Sequence, residues 1–507
     1  MSVIRRNIFW LLVSQAATWI ATLATLLVVP NKLGSTDFGT YGFAAGFVQF
    51  FTLFAGLGTS VYISRAVARD HSLVGSYVWN ATVLKVALWV VVSAAAMALG
   101  YGLGNRGQTL AIIAISCVGM LPFLLTEVFT GALAGMQKMA KPAMWVVVQV
   151  YYQTAFGILV LVLGWGVVAY TIVMTSGILI PAVATAVMVR PYVRGHRVLD
   201  WKVWRLLVVG GVPLLALAFL NLIYGTVDIP ILHSIVGSDP VGWYAVALRW
   251  VGIPVFITTA VVAAYFPAFS QHGNPLTHEF APLVNRAVRI VLLVNAPAAI
   301  GLFFVAPDLI HLFYGHGYDN SIVLVQILAV GIPIMGMDTV LATALVACDR
   351  VSRYLWIAVG AAILNPILCV IAVNVSDSRW QNGAIGASVV TVATEVWVMI
   401  GALVLRAPGV IDRAETGRIA RIALACAAMV PVLLLASGLP LAVQVILGAI
   451  TYALATLLFG GVSLGEIREI VTQVISSRRG GGPPAAGDED SELEVGLAPF
   501  QPNSDMA

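Results

Sequence analysis

Apolar segments of about 20 residues, separated by short polar and glycine-rich breaks, follow one another from residue 8 to residue 461. A helix of that length crosses the ~30 Å hydrocarbon core of a bilayer. The pattern therefore predicts an all-α polytopic membrane protein with about fourteen transmembrane helices. Their predicted positions are 8–30, 41–63, 81–101, 109–133, 143–163, 167–188, 206–230, 241–267, 284–305, 321–346, 354–374, 383–405, 418–437 and 440–461.

Two polar breaks carry the same short motif. Residues Gly34, Ser35, Gly39 and Tyr41 recur 203 positions later, as Gly237, Ser238, Gly242 and Tyr244. A second echo, shifted by 212 positions, pairs Ala132-Leu133 and Lys138 with Ala344-Leu345 and Arg350. Repeated halves in a membrane chain indicate a transporter whose site lies between them. We expect the four glycines to allow tight outer turns between paired helices.

The composition supports membrane insertion. Of the 507 residues, 60% are hydrophobic and only 10% are charged, whereas soluble domains have about 25% charged residues. The four cysteines, with no CxxC spacing, predict neither a disulfide framework nor a metal site. The close histidine pair, His311 and His316, has no carboxylate partner in a recognisable motif. We therefore predict no metal site and no cofactor.

The basic residues predict the orientation. If both termini are cytoplasmic, the inner segments hold 22 of the 27 Lys and Arg residues and the outer loops hold three, as the positive-inside rule requires. The expected organisation is an N-terminal lobe at 1–189, a cytoplasmic interfacial linker at 190–205, a C-terminal lobe at 206–405, two further helices at 406–461, and a cytoplasmic tail at 462–507 that is disordered beyond about 476.

Six ionisable residues fall within or at the edges of the predicted spans, where an unpaired charge costs about 2.5–3.5 kcal/mol or more. These candidates for a substrate cavity are Lys85, Glu127, Asp228, Arg249, Asp338 and Glu395. By depth, the first two are one candidate pair on the inner side, and the next two are another on the outer side. Alternatively, Lys85 reaches the inner interface and Asp228 lies in an outer loop.

Arg249 is the candidate with the clearest chemistry. It lies roughly 12 Å along its helix at 1.5 Å per residue, too deep for an outer loop. An arginine facing a water-filled cavity there would bind a phosphate or pyrophosphate bidentately.

Several short segments resemble the polysaccharide flippases of the multidrug/oligosaccharidyl-lipid/polysaccharide exporter superfamily. They are Leu33-Gly34 to Tyr41-Gly42, Arg65-Ala66-Val67-Ala68-Arg69, Val236-Gly237 to Tyr244, and Phe313-Tyr314-Gly315. The resemblance implies two six-helix lobes related by a pseudo-twofold axis along the membrane normal, plus two C-terminal helices. It also implies a central cavity whose cationic residues bind the pyrophosphate of a polyprenyl-linked oligosaccharide, with Arg249 as the best match. The first helix has no basic residue from Ile8 onward, which disfavours the lipid-linked peptidoglycan precursor as substrate.

The favoured function is a flippase for lipid-linked oligosaccharide in a bacterial inner membrane, serving export of a surface or extracellular polysaccharide. Its expected partners are that substrate, membrane lipid, and polysaccharide polymerase and export proteins, with no nucleic acid. The alternative is a cation-coupled multidrug antiporter, in which Asp338 or Glu395 binds protons or sodium. An enzyme is not expected, because no outer loop carries paired carboxylates or a glycine-rich phosphate loop.

Overall fold

The computed structural model describes residues 3–195, 198–271, 279–348 and 351–460, which form α-helices and no strand. The predicted tail, residues 462–507, lies outside these ranges. The helices in chain order are α1 Val3–Gly56, α2 Thr59–Arg69, α3 Val74–Gly102, α4 Gly107–Gly135, α5 Ala140–Val162, α6 Gly166–Val193, α7 Trp201–Thr226, α8 Asp228–Val236, α9 Ser238–Gln271, α10 Phe280–Tyr314, α11 Asp319–Ala347, α12 Val351–Trp380, α13 Gly383–Leu405, α14 Arg413–Leu435 and α15 Leu441–Leu458. Short 3₁₀ turns precede α3 at His71–Leu73 and α11 at Gly315–Tyr318.

Every predicted span overlaps a helix of the described residues, although span 41–63 continues from α1 into α2 and span 206–230 from α7 into α8. The first span lies in α1, which is interrupted at Gly34, where φ is 76° and ψ is 171°. By length and apolar character, eleven stretches of the described residues could cross a membrane, and two of them, Ala21–Arg69 and Phe280–Ala347, contain two helices each. The all-α polytopic fold is confirmed.

The helices form two lobes and a C-terminal pair. In the first lobe, α1 packs on α4 and α5, α4 on α3 and α6, and α5 on α6. In the second, α11 packs on α9, α10 and α13, and α13 packs on α12. The lobes meet mainly where α1 crosses α9, and the α14–α15 pair packs against α10. At that last contact, Arg289 of α10 donates to buried Glu415 of α14 at 2.9 Å, and the half-exposed Arg418 also donates to Glu415, at 3.1 Å.

In each lobe, one buried asparagine binds the backbone of the segment that follows the last helix of that lobe. The Asn80 side chain of α3 donates to the carbonyl of Val198 at 3.1 Å and accepts from the N–H of Asp200 at 2.8 Å. Asn285 of α10 makes the same two bonds, at 3.1 and 2.8 Å, to the carbonyl of residue 409 and the N–H of residue 411. We call these bonds the asparagine clamps. They recur in both lobes at equivalent places, although no sequence echo marked them.

Candidate functional site

The repeated sequence motifs lie where the two lobes meet. Gly34 and Gly237 both have positive φ, 76° and 87°, and each precedes a helix that enters the contact. Gly39 and Gly242 lie inside α1 and α9 rather than in turns. A Cβ on Gly39 would lie 1.8 Å from the carbonyl oxygen of Ser238, and a Cβ on Gly242 would lie 2.2 Å from that of Ser35. The first two glycines therefore do lie at breaks between helical segments, and their placement on the outer side stays a prediction, whereas the expectation of turns is wrong for the last two, which permit a close helix crossing.

Polar side chains join the lobes at the same place. The hydroxyls of Ser35 and Thr36 both donate to Asp239 Oδ1 at 2.6 Å. Thr40 donates to the hydroxyl of Ser238 at 3.0 Å. We call this set, with the two glycines of the crossing, the repeat contact.

Two tyrosines of the second lobe bind the end of the first segment of α1. Pro30 has no N–H, so the carbonyl of Leu26 lacks its usual helical donor. The Tyr314 hydroxyl donates to that carbonyl at 3.0 Å, and the Tyr318 hydroxyl donates to the carbonyl of Pro30 at 2.9 Å. Trp250 in turn donates to the Tyr314 oxygen at 3.0 Å. The helix end ahead of Gly34 is thus capped by the opposite lobe.

Arg249 of α9 faces a cavity of about 420 Å³ between the lobes, lined also by α1 residues such as Thr22 and Leu26 and by α5 residues such as Gln153. Its guanidinium carbon lies 4.7 Å from the ring centre of Phe38, a cation–π contact. It forms no ion pair with any residue that the structure describes. Its positive charge is therefore available to a ligand.

Two further spaces adjoin this cavity. Gln153 and Met174 also line a second cavity of about 410 Å³ in the first lobe, whose walls include Gln49, Gln149 and Thr175. Ile253, one turn beyond Arg249, also lines an apolar groove of about 510 Å³ that runs between α9, α10, α14 and α15. A charged cavity is thus flanked by a polar space on one side and an apolar one on the other.

Lys85 is fully buried, so the interpretation that it reaches the inner interface is wrong. Its ammonium donates to the carbonyl of Ala55 at 2.8 Å and to that of Gly56, at the C-terminal end of α1. Cations are favourable at this end of a helix. Glu127 lies near the same end, with Oε2 3.5 Å from the Cβ position of Gly56, but no ion pair joins it to Lys85 among the described contacts.

Asp228 does not lie in a loop. It begins α8 and is buried, and it accepts hydrogen bonds from Tyr244 at 3.1 Å and from Thr391 at 3.0 Å. Its other oxygen and the side-chain oxygen of nearby Asn365 have no partner among the described residues. The candidate pair of Asp228 with Arg249 is not formed.

Asp338 of α11 and Glu395 of α13 come together, and their carboxyl groups lie close enough to interact electrostatically. Thr339 donates to Asp338, at 3.2 Å. Neither acid forms an ion pair with a cation of the described chain.

The sequence interpretation missed a carboxylate beside the histidine pair. Asp319, the first residue of α11, has Oδ1 2.9 Å from His311 Nε2 and Oδ2 3.5 Å from His316 Nδ1. The spacing His-x₄-His-x₂-Asp was the available signal.

Comparisons with known proteins agree with this architecture. A family model described as polysaccharide biosynthesis protein matches residues 4–272, and one described as MatE matches residues 213–371. The solved structure of the lipid II flippase MurJ in an inward closed conformation superposes with a TM-score of 0.70 at 16% identity, covering 88% of this chain and 98% of that one. An inward-facing multidrug resistance MATE family transporter of the MOP superfamily gives a TM-score of 0.58 at 15% identity, covering 78% and 94%. At such identities the likeness concerns the fold alone. No curated protein matches this chain.

Proposed function

Because the chain belongs to the polysaccharide biosynthesis protein family, we propose that it is a flippase for polyprenyl-pyrophosphate-linked oligosaccharide in the bacterial inner membrane. In this proposal both termini are cytoplasmic, and the protein works by alternating access without catalysing a reaction. It serves surface or extracellular polysaccharide synthesis beside a polymerase and export proteins.

The observation that carries the proposal is Arg249 between the lobes, which forms no ion pair with any residue that the structure describes. A guanidinium in a cavity inside the membrane is stable only with an anionic ligand, a π face or water nearby. Phe38 covers one face of it, and its N–H donors remain free to bind a pyrophosphate bidentately.

The adjoining spaces suit the other two parts of such a substrate. The groove that shares Ile253 with the cavity is lined almost wholly by apolar residues of α9, α10, α14 and α15, as a polyprenyl chain requires. The first-lobe cavity that shares Gln153 presents amide and hydroxyl groups, which hydrogen-bond sugar hydroxyls. The apolar groove, the Arg249 cavity and the cavity with amide and hydroxyl groups thus adjoin one another in the order of the polyprenyl chain, the pyrophosphate and the sugars of such a lipid.

The repeat contact supports alternating access. It joins the lobes at the side that the basic residues predict to be outer, so a substrate in the Arg249 cavity cannot leave there until this contact opens. Its bonds are few and polar, and breaking them exposes groups that water can satisfy.

The second candidate, a cation-coupled multidrug antiporter, is favoured by the neighbouring carboxyl groups of Asp338 and Glu395. A proton held there could be released when the second lobe changes shape. Such an antiporter needs these acids and does not need Arg249.

The deciding experiment measures how much lipid-linked oligosaccharide a periplasmic enzyme can reach in cells of the native strain. Arg249→Ala should lower the accessible fraction at least about tenfold, the scale for losing a charged contact, and Arg249→Lys should keep part of it. The control is Arg106→Ala, an exposed arginine that donates to the carbonyl of Tyr101. Normal accessibility with stably expressed Arg249→Ala would refute the site. If Asp338→Asn and Glu395→Gln instead abolish drug resistance, the antiporter is supported.

A further inference from the structure

We propose that His311, His316 and Asp319 form a binding site for a zinc ion, and that the bound ion holds the lobe contact made by Tyr314 and Tyr318 closed. The three ligand atoms, one from each residue, lie within 4.8 Å of one another. All three residues are exposed, at the turn between α10 and α11 that the basic residues predict to be on the outer side.

The distances from each histidine to the Asp319 carboxylate suit zinc. Ligands bound tetrahedrally to zinc at 2.0–2.2 Å lie about 3.3 Å from one another. The observed separations are 2.9 Å from His311 Nε2 to Asp319 Oδ1 and 3.5 Å from His316 Nδ1 to Asp319 Oδ2. Two imidazoles and one carboxylate form a donor set that zinc accepts with water in the fourth position, whereas Mg²⁺ and Ca²⁺ prefer oxygen ligands alone.

The backbone already holds the three residues in place. His311 is in the last turn of α10, His316 is in the 3₁₀ turn, and Asp319 begins α11. Gly315 makes the sharp change of direction between them, with φ at 67°. Tyr314 and Tyr318, which flank the turn, are buried at 4% and 2% exposure. Binding therefore needs only small side-chain rotations.

The same tyrosines connect the site to the first lobe. Their hydroxyls bind the carbonyls of Leu26 and Pro30 in α1, and Leu26 also lines the Arg249 cavity. A metal ion that fixes the turn keeps both hydroxyls in position on α1. Zinc should therefore favour the state with the outer side closed and slow transport.

Direct binding is measured first, by titrating the purified full-length protein, freed of any polyhistidine tag, with zinc chloride and, separately, with magnesium chloride. His316→Ala and Asp319→Asn should each weaken zinc binding by about tenfold or more, and magnesium should not bind. The control is His71→Ala, an exposed histidine in the other 3₁₀ turn. Zinc affinity unchanged in both site variants would overturn the site, whatever the transported substrate proves to be.

The coupling is measured by hydrogen exchange and mass spectrometry. Zinc should slow exchange both in residues 311–319 and in residues 26–40 of the wild-type protein, and in neither segment of His316→Ala. Slowing confined to residues 311–319 would overturn the proposed effect on the lobe contact while leaving the metal site in place.

Discussion

The close crossing of α1 and α9 predicts that Gly39→Ala opens the repeat contact. The added Cβ would lie 1.8 Å from the Ser238 carbonyl oxygen and 2.8 Å from the Gly242 nitrogen, whereas Cβ atoms essentially never approach other heavy atoms closer than 3.0 Å. The helices must therefore separate by about 1.2 Å. Overpacking of this kind costs about 1–3 kcal/mol. Because the crossing joins the two lobes, we expect this cost to fall on the closed state and to lower its population relative to the open state about 5–150-fold.

Gly42→Ala is the matched control. It lies three residues further along the same helix, where a new Cβ would meet only the Val241 side chain, at an ordinary 3.8 Å. Both variants gain the same helix propensity, about 1 kcal/mol, so the difference between them isolates the clash.

The assay is disulfide cross-linking in membranes between cysteines introduced as Thr36→Cys and Asp239→Cys, whose wild-type side chains lie 2.6 Å apart, in a chain with the four native cysteines replaced. Gly39→Ala should reduce the cross-linked fraction and the rate of cross-linking, and Gly42→Ala should leave both unchanged. Equal cross-linking in the two variants, at equal expression, would refute the role of the crossing.

Two other contacts yield predictions of stability. Tyr314→Phe leaves the Leu26 carbonyl and the Trp250 N–H without their partner, and each loss should lower the free energy of unfolding by about 1–3 kcal/mol. The thermal unfolding midpoint of this variant in detergent should therefore fall clearly. The control, Tyr151→Phe at an exposed tyrosine, should leave the midpoint unchanged. Arg289→Gln removes the buried partner of Glu415 and should cost about 3–5 kcal/mol, detected as faster proteolysis of α14. Half-exposed Arg418→Gln touches the same carboxylate and should cost under about 1 kcal/mol; equal proteolysis of the two variants would contradict this account.

The type and approximate positions of the elements could be predicted because membrane thickness fixes the length of an apolar helix. The 203-residue repeat also predicted two similar halves. It did not predict that Gly39 and Gly242 cross one another, because a sequence shows which residues recur but not which distant helices touch.

The charged candidates show a different limit. Position along a span predicts depth in the membrane, but not the direction in which a side chain points around its helix. Depth alone grouped Lys85 with Glu127, and the two do interact electrostatically. It did not show that Lys85 donates to backbone carbonyls at the end of α1, because the sequence does not reveal which carbonyl groups lie near a side chain. Asp338 and Glu395 were both named from the sequence, but only the packing of α11 on α13 shows that they meet.

The asparagine clamps bear on the order in which the protein is built in the cell. Asn80 binds residues 198–200, and Asn285 binds residues 409–411, so each lobe closes on the stretch of chain synthesised directly after its own helices. The bonds between lobes instead join residues 198 to 288 positions apart. Domains fold as units during synthesis, the N-terminal one first. The asparagine bonds of the first lobe can therefore form once the ribosome has passed residue 200, and the contact between the lobes is assembled from two folded halves.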